Sequence, residues 1–192
     1  VGLVRERGKL MEYALPQGFG TMAAVLGADN QVIEAVVEAI KDVSIANYNC
    51  PGQVVITGKK EAVEQAMQEL KERGVKRIMP LNVSGPFHSP FLKEAGEKLK
   101  KELQKIEFYD LKIPYVTNVT AKQVVNIKES IYLLTTQISA PVLWEQSMRN
   151  MIAEGVDLFV EIGPGKTLNG FLRKINKEIK VINISKWEDI HE

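Results

Sequence analysis

The sequence predicts an α/β protein in which a small antiparallel unit is inserted into a larger unit of alternating helices and strands. Two patterns predict this fold class. Residues 20–81 carry the apolar patterns of strand, helix, strand, strand, helix and strand, the order of the ferredoxin-like βαββαβ unit. From residue 89 onward, helical patterns alternate with short apolar strands, as in the outer part of a parallel α/β sheet. We therefore predict a small subdomain at 16–81 and a large subdomain made of 1–15 and 82–192.

Turn residues and caps separate the elements of the small unit. The segment GTMAAVLG at 20–27 is an apolar run between glycines, which is typical of a buried strand. Asp29 and Asn30 are N-cap residues for the next helix, and Gly74 ends the second helix. The other predicted elements are strands at 43–49 and 53–58, a helix with apolar positions 63, 66, 67 and 70, and a last strand at 75–81.

The large unit begins with a helix whose apolar face runs from Leu3 to Ala14. Ser89 is a favourable N-cap, and Pro90 a favourable first residue, for a helix whose apolar positions continue to Ile106. The remaining predicted elements are a strand at 113–119, helices at 127–138 and 144–154, a strand at 157–163, a short helix at 168–175 and a strand at 180–185.

The composition excludes several classes of protein. With 25 basic and 24 acidic residues the net charge is +1, so there is no electrostatic footprint for nucleic acid. RNA-binding domains share the βαββαβ order, but the strands at 20–27 and 53–58 contain no aromatic residue on which a base could stack. The single cysteine, Cys50, excludes an internal disulfide and suits a reducing compartment. No apolar run approaches the ~20 residues of a membrane helix, so we expect a soluble, cytoplasmic protein.

The start of the chain predicts that a further segment precedes it. The chain opens with Val1 and is already in helical periodicity by Leu3. We therefore expect an N-terminal portion to supply the central strands of the large unit.

Arg7 is a charged residue within an apolar helical face. Projected at 100° per residue, it falls between Met11 and Ala14, whereas Arg5 and Glu12 fall on the opposite side. In a buried setting a guanidinium must meet an anion. Periodicity alone somewhat favours a structural ion pair with an aspartate or glutamate; the alternative is a seat for a ligand carboxylate or phosphate.

His88 lies in a proline-flanked loop, SGPFHSPF, at 84–91. Because it precedes the predicted cap Ser89, we expect the positive end of a helix dipole to keep its ring neutral and able to accept a proton. A loop histidine bonded only to backbone is equally consistent with the pattern. No nucleophile accompanies it, since the G-x-S-x-G motif does not occur in the chain.

The segment GPGKT at 163–167 is similar to a nucleotide-binding loop but lacks its first glycine. The motif requires glycine five positions before Gly165, where this chain has Val160. We therefore exclude ATP or GTP binding and expect a tight turn between a strand and a helix.

Six segments together resemble the malonyl-CoA:acyl-carrier-protein transacylases over essentially the whole chain. They are LVRERGKLM, NYNCPGQVVITG, VSGPFHSPFL, PYVTNV, APVLWEQSM and VEIGPGKTLNGF, in that order. The resemblance implies a partial α/β-hydrolase-like large subdomain with an inserted ferredoxin-like one. It also implies ping-pong transfer of a malonyl group from malonyl-CoA to the phosphopantetheine thiol of acyl carrier protein, in fatty acid biosynthesis. It further implies that no cofactor, metal, nucleic acid or membrane takes part and that the intact enzyme is a monomer.

The resemblance assigns roles to five residues. His88 corresponds to the general base, and Gln137 to the glutamine whose backbone carbonyl orients that base. Arg7 corresponds to the arginine that binds the malonyl carboxylate. Asn49 falls in a segment that lines the cleft, and Phe87 corresponds to a residue that would crowd a 2-methyl branch on the substrate.

The chain departs from this family because it contains neither the serine motif nor the glutamine-glycine loop of the oxyanion hole. We expect the chain alone not to transfer malonyl groups. The alternative function is a non-catalytic ligand-binding or regulatory module built on the ferredoxin-like unit; the absent serine favours it, whereas Arg7, His88 and Gln137 favour the enzyme. The family's carrier protein is acidic, which suggests docking contacts at Lys59, Lys60, Arg73, Lys76 and Arg77.

Overall fold

The computed structural model describes residues 2–190; Val1, His191 and Glu192 lie outside the described residues. The helices are α1 (Gly2–Glu12), α2 (Asn30–Ala39), α3 (Lys60–Glu72), α4 (Lys93–Leu103), α5 (Ser130–Gln137), α6 (Trp144–Ala153) and α7 (Thr167–Ile175). The strands are β1 (Gly20–Leu26), β2 (Val43–Cys50), β3 (Gln53–Lys59), β4 (Arg77–Pro80), β5 (Tyr115–Val116), β6 (Gln123–Val124), β7 (Leu158–Ile162) and β8 (Lys180–Ile184).

The predicted βαββαβ order is confirmed. Strands β1 to β4 form one antiparallel sheet in the order β2-β3-β1-β4. The predicted cap Asp29 accepts a hydrogen bond from the Gln31 backbone N–H at 2.8 Å and so starts α2. Apolar side chains of α2 and α3 pack on the sheet in one core, whose fully buried members include Ile33, Val36, Val63, Ala66 and Leu70.

The other face of this sheet supports the segment that carries His88. Met22, Ala24, Ala46 and Val55 form a second buried cluster. Leu81, Val83 and Phe87 pack against that cluster as the chain leaves β4. The sheet therefore holds the approach to the histidine loop from one side.

A third cluster of buried residues belongs to the large unit and joins α1, α4 and α5. Its fully or almost fully buried members are Leu92, Ala95, Leu99, Leu103 and Ile138. Leu3 and Leu10 of α1 pack against it. The helix that carries Arg7 and the helix that ends at Gln137 are therefore fixed to the same core.

The predicted helix after Ser89 needs two corrections. A 3-10 turn over Pro90–Leu92 precedes α4, which ends at Leu103, so Ile106 lies beyond the helix and is 42% exposed. The Ser89 side chain caps no backbone N–H of this segment; its hydroxyl donates instead to the Pro86 carbonyl at 2.6 Å. A serine hydroxyl can donate one hydrogen bond, and here the Pro86 carbonyl accepts it.

The predicted strands at 157–163 and 180–185 are confirmed as β7 and β8, whereas the predicted strand at 113–119 is reduced to the short β5. Strands β7 and β8 do pair in parallel. Strand β5 is only two residues long and pairs antiparallel with β6, which the sequence did not reveal. The chain turns back at once because Ala121 has a φ of 56° and its N–H donates to the Thr117 carbonyl at 2.9 Å.

Strands β7 and β8 leave apolar side chains exposed among the described residues. Val160 is 45% exposed, Ile162 79% and Ile182 47%. Side chains of this type in a parallel pair are ordinarily covered on both faces.

Between residues 2 and 190, none of the helices has the length and apolar character needed to cross a membrane. In the same range, no three histidine, cysteine or carboxylate side chains are grouped so that they could hold a metal ion.

We predict that Gly20→Ala destabilises the protein by about 1–3 kcal/mol, the range for overpacking. A Cβ atom at Gly20 would lie 2.5 Å from the Gly58 carbonyl oxygen and 2.7 Å from Pro86 Cγ. Gly8→Ala is the control, because nothing lies within 4 Å of that position on α1 and alanine favours a helix. Urea unfolding measures both variants. Equal stability of Gly20→Ala and the parent chain would contradict the close packing of the histidine loop on β1.

Candidate active site

The histidine loop holds His88 in a left-handed backbone conformation, with φ at 58°. That conformation costs a residue with a side chain roughly 1–2 kcal/mol, so the surrounding loop must impose it. Pro86 is buried next to Gly20, and the Phe87 N–H donates to the Gly85 carbonyl at 3.0 Å. Backbone strain of this kind, at one residue of a tightly held loop, is often found at functional sites, which makes His88 a candidate functional residue.

The ring of His88 meets the end of α5. Its Nδ1 atom lies 3.0 Å from the Gln137 carbonyl oxygen. The last carbonyls of a helix have no partner within it, and here Pro141, four residues after Gln137, has no N–H to donate. The Gln137 carbonyl is therefore free to accept a hydrogen bond from His88.

This hydrogen bond determines the proton arrangement of the ring. A carbonyl oxygen can only accept, so Nδ1 carries the proton that it donates. In the neutral ring, Nε2 is then unprotonated and can accept a proton. His88 has the tautomer that a general base requires.

The surroundings of His88 favour the neutral ring. Burial lowers the pKa of His88 below its usual 6.5, and the charge of Arg7 lowers it further, while hydrogen bonds to the backbone of Gln137 and Ala140 act in the opposite direction. The expected dipole of a helix beginning at Ser89 is not the main cause, since α4 starts only at Lys93. Because the unfolded chain binds this proton more readily, the contribution of His88 to stability is present above pH 6.5 and is lost as the pH falls.

Arg7 has no carboxylate partner in the part of the chain that the structure describes. It is partly buried on α1, and burial lowers the pKa of its guanidinium. No aspartate or glutamate between residues 2 and 190 lies within 4.0 Å of it. The structural ion pair that periodicity favoured is therefore absent from these residues, and the cation remains available for another anion.

An open cleft of about 640 Å³ lies beside His88, and its walls come from both units. Tyr48 and Glu34 form one wall, where the tyrosine hydroxyl donates to the carboxylate at 2.8 Å. Ser139 and Pro141, which follow α5, form the other. Arg7 does not line this cleft; its link to His88 is the electrostatic effect on the ring.

The remaining residues that the sequence singled out have less distinctive surroundings. Asn49 is partly buried in β2 at a shift in strand register between Tyr48 and Cys50. Phe87 packs against two apolar clusters, those of α4 and of β1. The structure brings His88 and Gln137 together; contacts of Asn49 or Phe87 with a substrate stay predictions.

Two features of this site are not evident from the sequence when it is read residue by residue. Only the family resemblance indicates the role of the Gln137 carbonyl. The sequence does contain a signal for it, because Pro141, four residues later, has no N–H to donate to that carbonyl. The sequence predicts Ser89 as an N-cap whose hydroxyl accepts from a backbone N–H. Nothing in the local sequence distinguishes that role from donation to the Pro86 carbonyl.

Comparisons with known proteins place almost the whole chain in one family. The model of the acyl transferase domain matches residues 1–187. A malonyl CoA-acyl carrier protein transacylase of Bacillus subtilis (strain 168) is 44% identical over 191 residues, which is 97% of this chain and 60% of that protein. The chain therefore spans about three fifths of the length of such relatives.

Solved structures show the same fold. A crystal structure of malonyl CoA-acyl carrier protein transacylase from Clostridium perfringens ATCC 13124 matches with a TM-score of 0.94 at 41% identity, over 99% of this chain and 61% of that one. A malonyl-transacylase in complex with its type II PKS acyl-carrier protein matches with a TM-score of 0.94 at 37% identity, over 99% of this chain and 62% of that one.

We predict that Arg7→Met raises the pKa of His88, because the substitution removes a positive charge that disfavours the imidazolium. An NMR titration of the His88 ring measures this, with the signal assigned by a His88→Gln variant. Arg5→Met is the matched control, because Arg5 is exposed two residues away on the same helix. If the titration of His88 were the same in Arg7→Met as in the parent chain, the proposed proximity of the two groups would be wrong.

Proposed function

The chain belongs to the acyl transferase domain family, and on that premise we propose that it carries the base and the carboxylate-binding residue of a malonyl-CoA:acyl-carrier-protein transacylase. The observation that carries the proposal is the hydrogen bond between His88 Nδ1 and the Gln137 carbonyl. With Nδ1 as the donor, Nε2 of the neutral ring is free to accept a proton. Burial and the charge of Arg7, which has no acidic partner between residues 2 and 190, favour that neutral ring.

Transfer of the malonyl group by this mechanism needs a nucleophilic serine. This chain contains no G-x-S-x-G motif that would supply one. When such a hydroxyl attacks the thioester carbonyl carbon of malonyl-CoA, Nε2 of His88 takes the hydroxyl proton. As the carbon–sulfur bond breaks, the same proton passes to the departing CoA sulfur. In the second half-reaction, the sulfur of the carrier protein's thiol attacks the carbonyl carbon of the malonyl–serine ester while His88 takes the thiol proton. As the bond from that carbon to the serine oxygen breaks, His88 returns the proton to the serine oxygen.

We propose that the serine lies in a segment outside this chain. The chain spans 60% of the length of its Bacillus subtilis relative, and apolar side chains of β7 and β8 are exposed. A segment that packs on these strands would cover Val160, Ile162 and Ile182 and bring the nucleophile to the cleft.

Arg7 suits the free carboxylate of a malonyl group. Its guanidinium is partly buried and has no acidic partner between residues 2 and 190. A guanidinium and a carboxylate form charge-assisted hydrogen bonds in a bidentate geometry. An acetyl group presents no such carboxylate, so this contact distinguishes malonyl from acetyl substrates.

Three basic residues are candidates for contact with an acidic carrier protein. Of the five proposed from the sequence, Lys59 is paired with Asp42 at 2.7 Å and Arg73 with Glu69 at 2.6 Å. In the described part of the chain, no salt bridge engages the others, which are Lys60, Lys76 and Arg77.

The second candidate is a non-catalytic binding module built on the βαββαβ unit. It is favoured by the independent core of that unit, in which α2 and α3 cover the four-stranded sheet. The coding sequence upstream of Val1 separates the two proposals, because a G-H-S-x-G motif there supports the enzyme and a start codon at Val1 supports the module.

The division at residues 15/16 and 81/82, the monomeric state and the cytoplasmic location stay predictions.

We predict that the 192-residue chain forms no covalent adduct with malonyl-CoA, because no serine motif accompanies His88. Intact-mass spectrometry after incubation detects an added malonyl group. A stable stoichiometric adduct would show that another residue of this chain acts as the nucleophile.

We predict that Arg7→Ala weakens malonyl transfer roughly 10- to 100-fold in the catalytically complete enzyme, as expected for the loss of a charge-assisted hydrogen bond of about 1.5–3 kcal/mol. Acetyl transfer should change little, because the transition state for acetyl lacks the distal carboxylate. Values of kcat/KM with both acyl-CoA substrates measure the difference, and Arg5→Ala serves as the control. Equal losses with malonyl and acetyl groups would make Arg7 a structural residue.

A further inference from the structure

We infer that Ser89 is a positioning residue that holds His88 in the backbone conformation and ring tautomer required of a base. The inference rests on the proposed role of His88. The hydroxyl of Ser89 acts on the loop and needs no contact with a substrate.

The hydroxyl of Ser89 spans the strained residue. Ser89 is fully buried, and its Oγ donates to the Pro86 carbonyl at 2.6 Å. The bond closes a loop of four residues in which His88 is the only one with a positive φ, 58°. A buried hydroxyl bonded this closely has no water to replace its partner, so its loss leaves the Pro86 carbonyl unsatisfied.

The two ends that this bond joins are themselves fixed. On one side, Pro86 is buried against β1, where Gly20 leaves room for it. On the other side, the Ser89 carbonyl accepts from the Leu92 N–H at 3.0 Å, and Leu92 is almost fully buried in the core of α4. The hydroxyl therefore links the small sheet to α4 across His88.

The backbone conformation determines where the imidazole lies. Reversing the sign of φ at His88 would turn its Cα–Cβ bond relative to the fixed chain on either side. The ring would then leave the Gln137 carbonyl, now 3.0 Å from Nδ1. Without that acceptor, the preference of the proton for Nδ1 would weaken, and the neutral ring would become a mixture of tautomers in part of which Nε2 carries the proton.

Ser147 provides a matched comparison for a hydroxyl that is merely structural. It is also buried, and its Oγ donates to the Leu143 carbonyl at 2.7 Å. It lies on α6, and neither it nor Leu143 is among the groups that affect His88. Replacing either serine by alanine removes one buried hydrogen bond, but only Ser89→Ala should alter the histidine.

The test is ¹⁵N NMR of the imidazole in the 192-residue chain and in its Ser89→Ala and Ser147→Ala variants. In the parent chain and in Ser147→Ala we expect the neutral His88 ring to carry its proton on Nδ1. In Ser89→Ala we expect a mixture of tautomers and a pKa closer to 6.5, because the freed ring is less buried. An unchanged tautomer and titration in Ser89→Ala would overturn the inference, however much that variant lost in thermal stability.

A second measurement uses the catalytically complete enzyme. Ser89→Ala should lower kcat by about 10²-fold, the loss associated with a misplacement of about 1 Å, with little change in KM. Ser89→Cys has the same size but only a weak S–H donor, so we expect intermediate activity. If Ser89→Ala does not fold, Ser89→Cys serves as the test in its place. Activity of either variant equal to that of the parent enzyme would contradict the inference.

The two proposals fail in different ways. If His88→Gln left malonyl transfer intact, the proposed base would be wrong, while the NMR result would still establish what Ser89 does to the ring. If His88→Gln abolished transfer and Ser89→Ala changed neither the ring nor kcat, only the role of Ser89 would be wrong.

Discussion

The hydrogen bond between His88 Nδ1 and the Gln137 carbonyl is the interaction on which the site depends. It exists because α5 ends at Gln137 and because Pro141 cannot satisfy that carbonyl from within the chain. The close packing of α4 on α5 supports it, since a Cβ atom at Gly96 would lie 2.9 Å from the Thr135 carbonyl oxygen. One helix end therefore sets both the position and the tautomer of the imidazole.

Elements from both units of the chain fix the loop that presents this histidine. The small sheet supports Pro86 through Gly20, and Phe87 packs against the core of each unit. The helix that carries Arg7 is linked to the start of the loop, where the Ser84 hydroxyl donates to Glu12 at 2.7 Å. The histidine loop and the helix that carries Arg7 are therefore held by separate elements and joined to each other at Ser84.

Much of the fold follows from local sequence, but parts of the site do not. Periodicity and caps predict the βαββαβ unit because each of its elements buries one regular face. They miss the short pairing of β5 with β6, which depends on a turn at Ala121 and carries no extended apolar run. Helical projection of the sequence singles out Arg7, but only the tertiary structure shows that it has no acidic partner between residues 2 and 190. Ser89 shows that one residue type fits two hydrogen-bond patterns equally well.

The proposed function requires that Arg7 and His88 serve one bound acyl group. Its most direct test is an NMR titration of the ¹⁵N-labelled 192-residue chain with malonyl-CoA, in which the Arg7 guanidinium and the His88 ring are observed together. Both signals should shift with the same binding curve, and acetyl-CoA should shift the guanidinium much less. A malonyl-CoA titration that moves only one of the two signals, or neither, would contradict the proposed function.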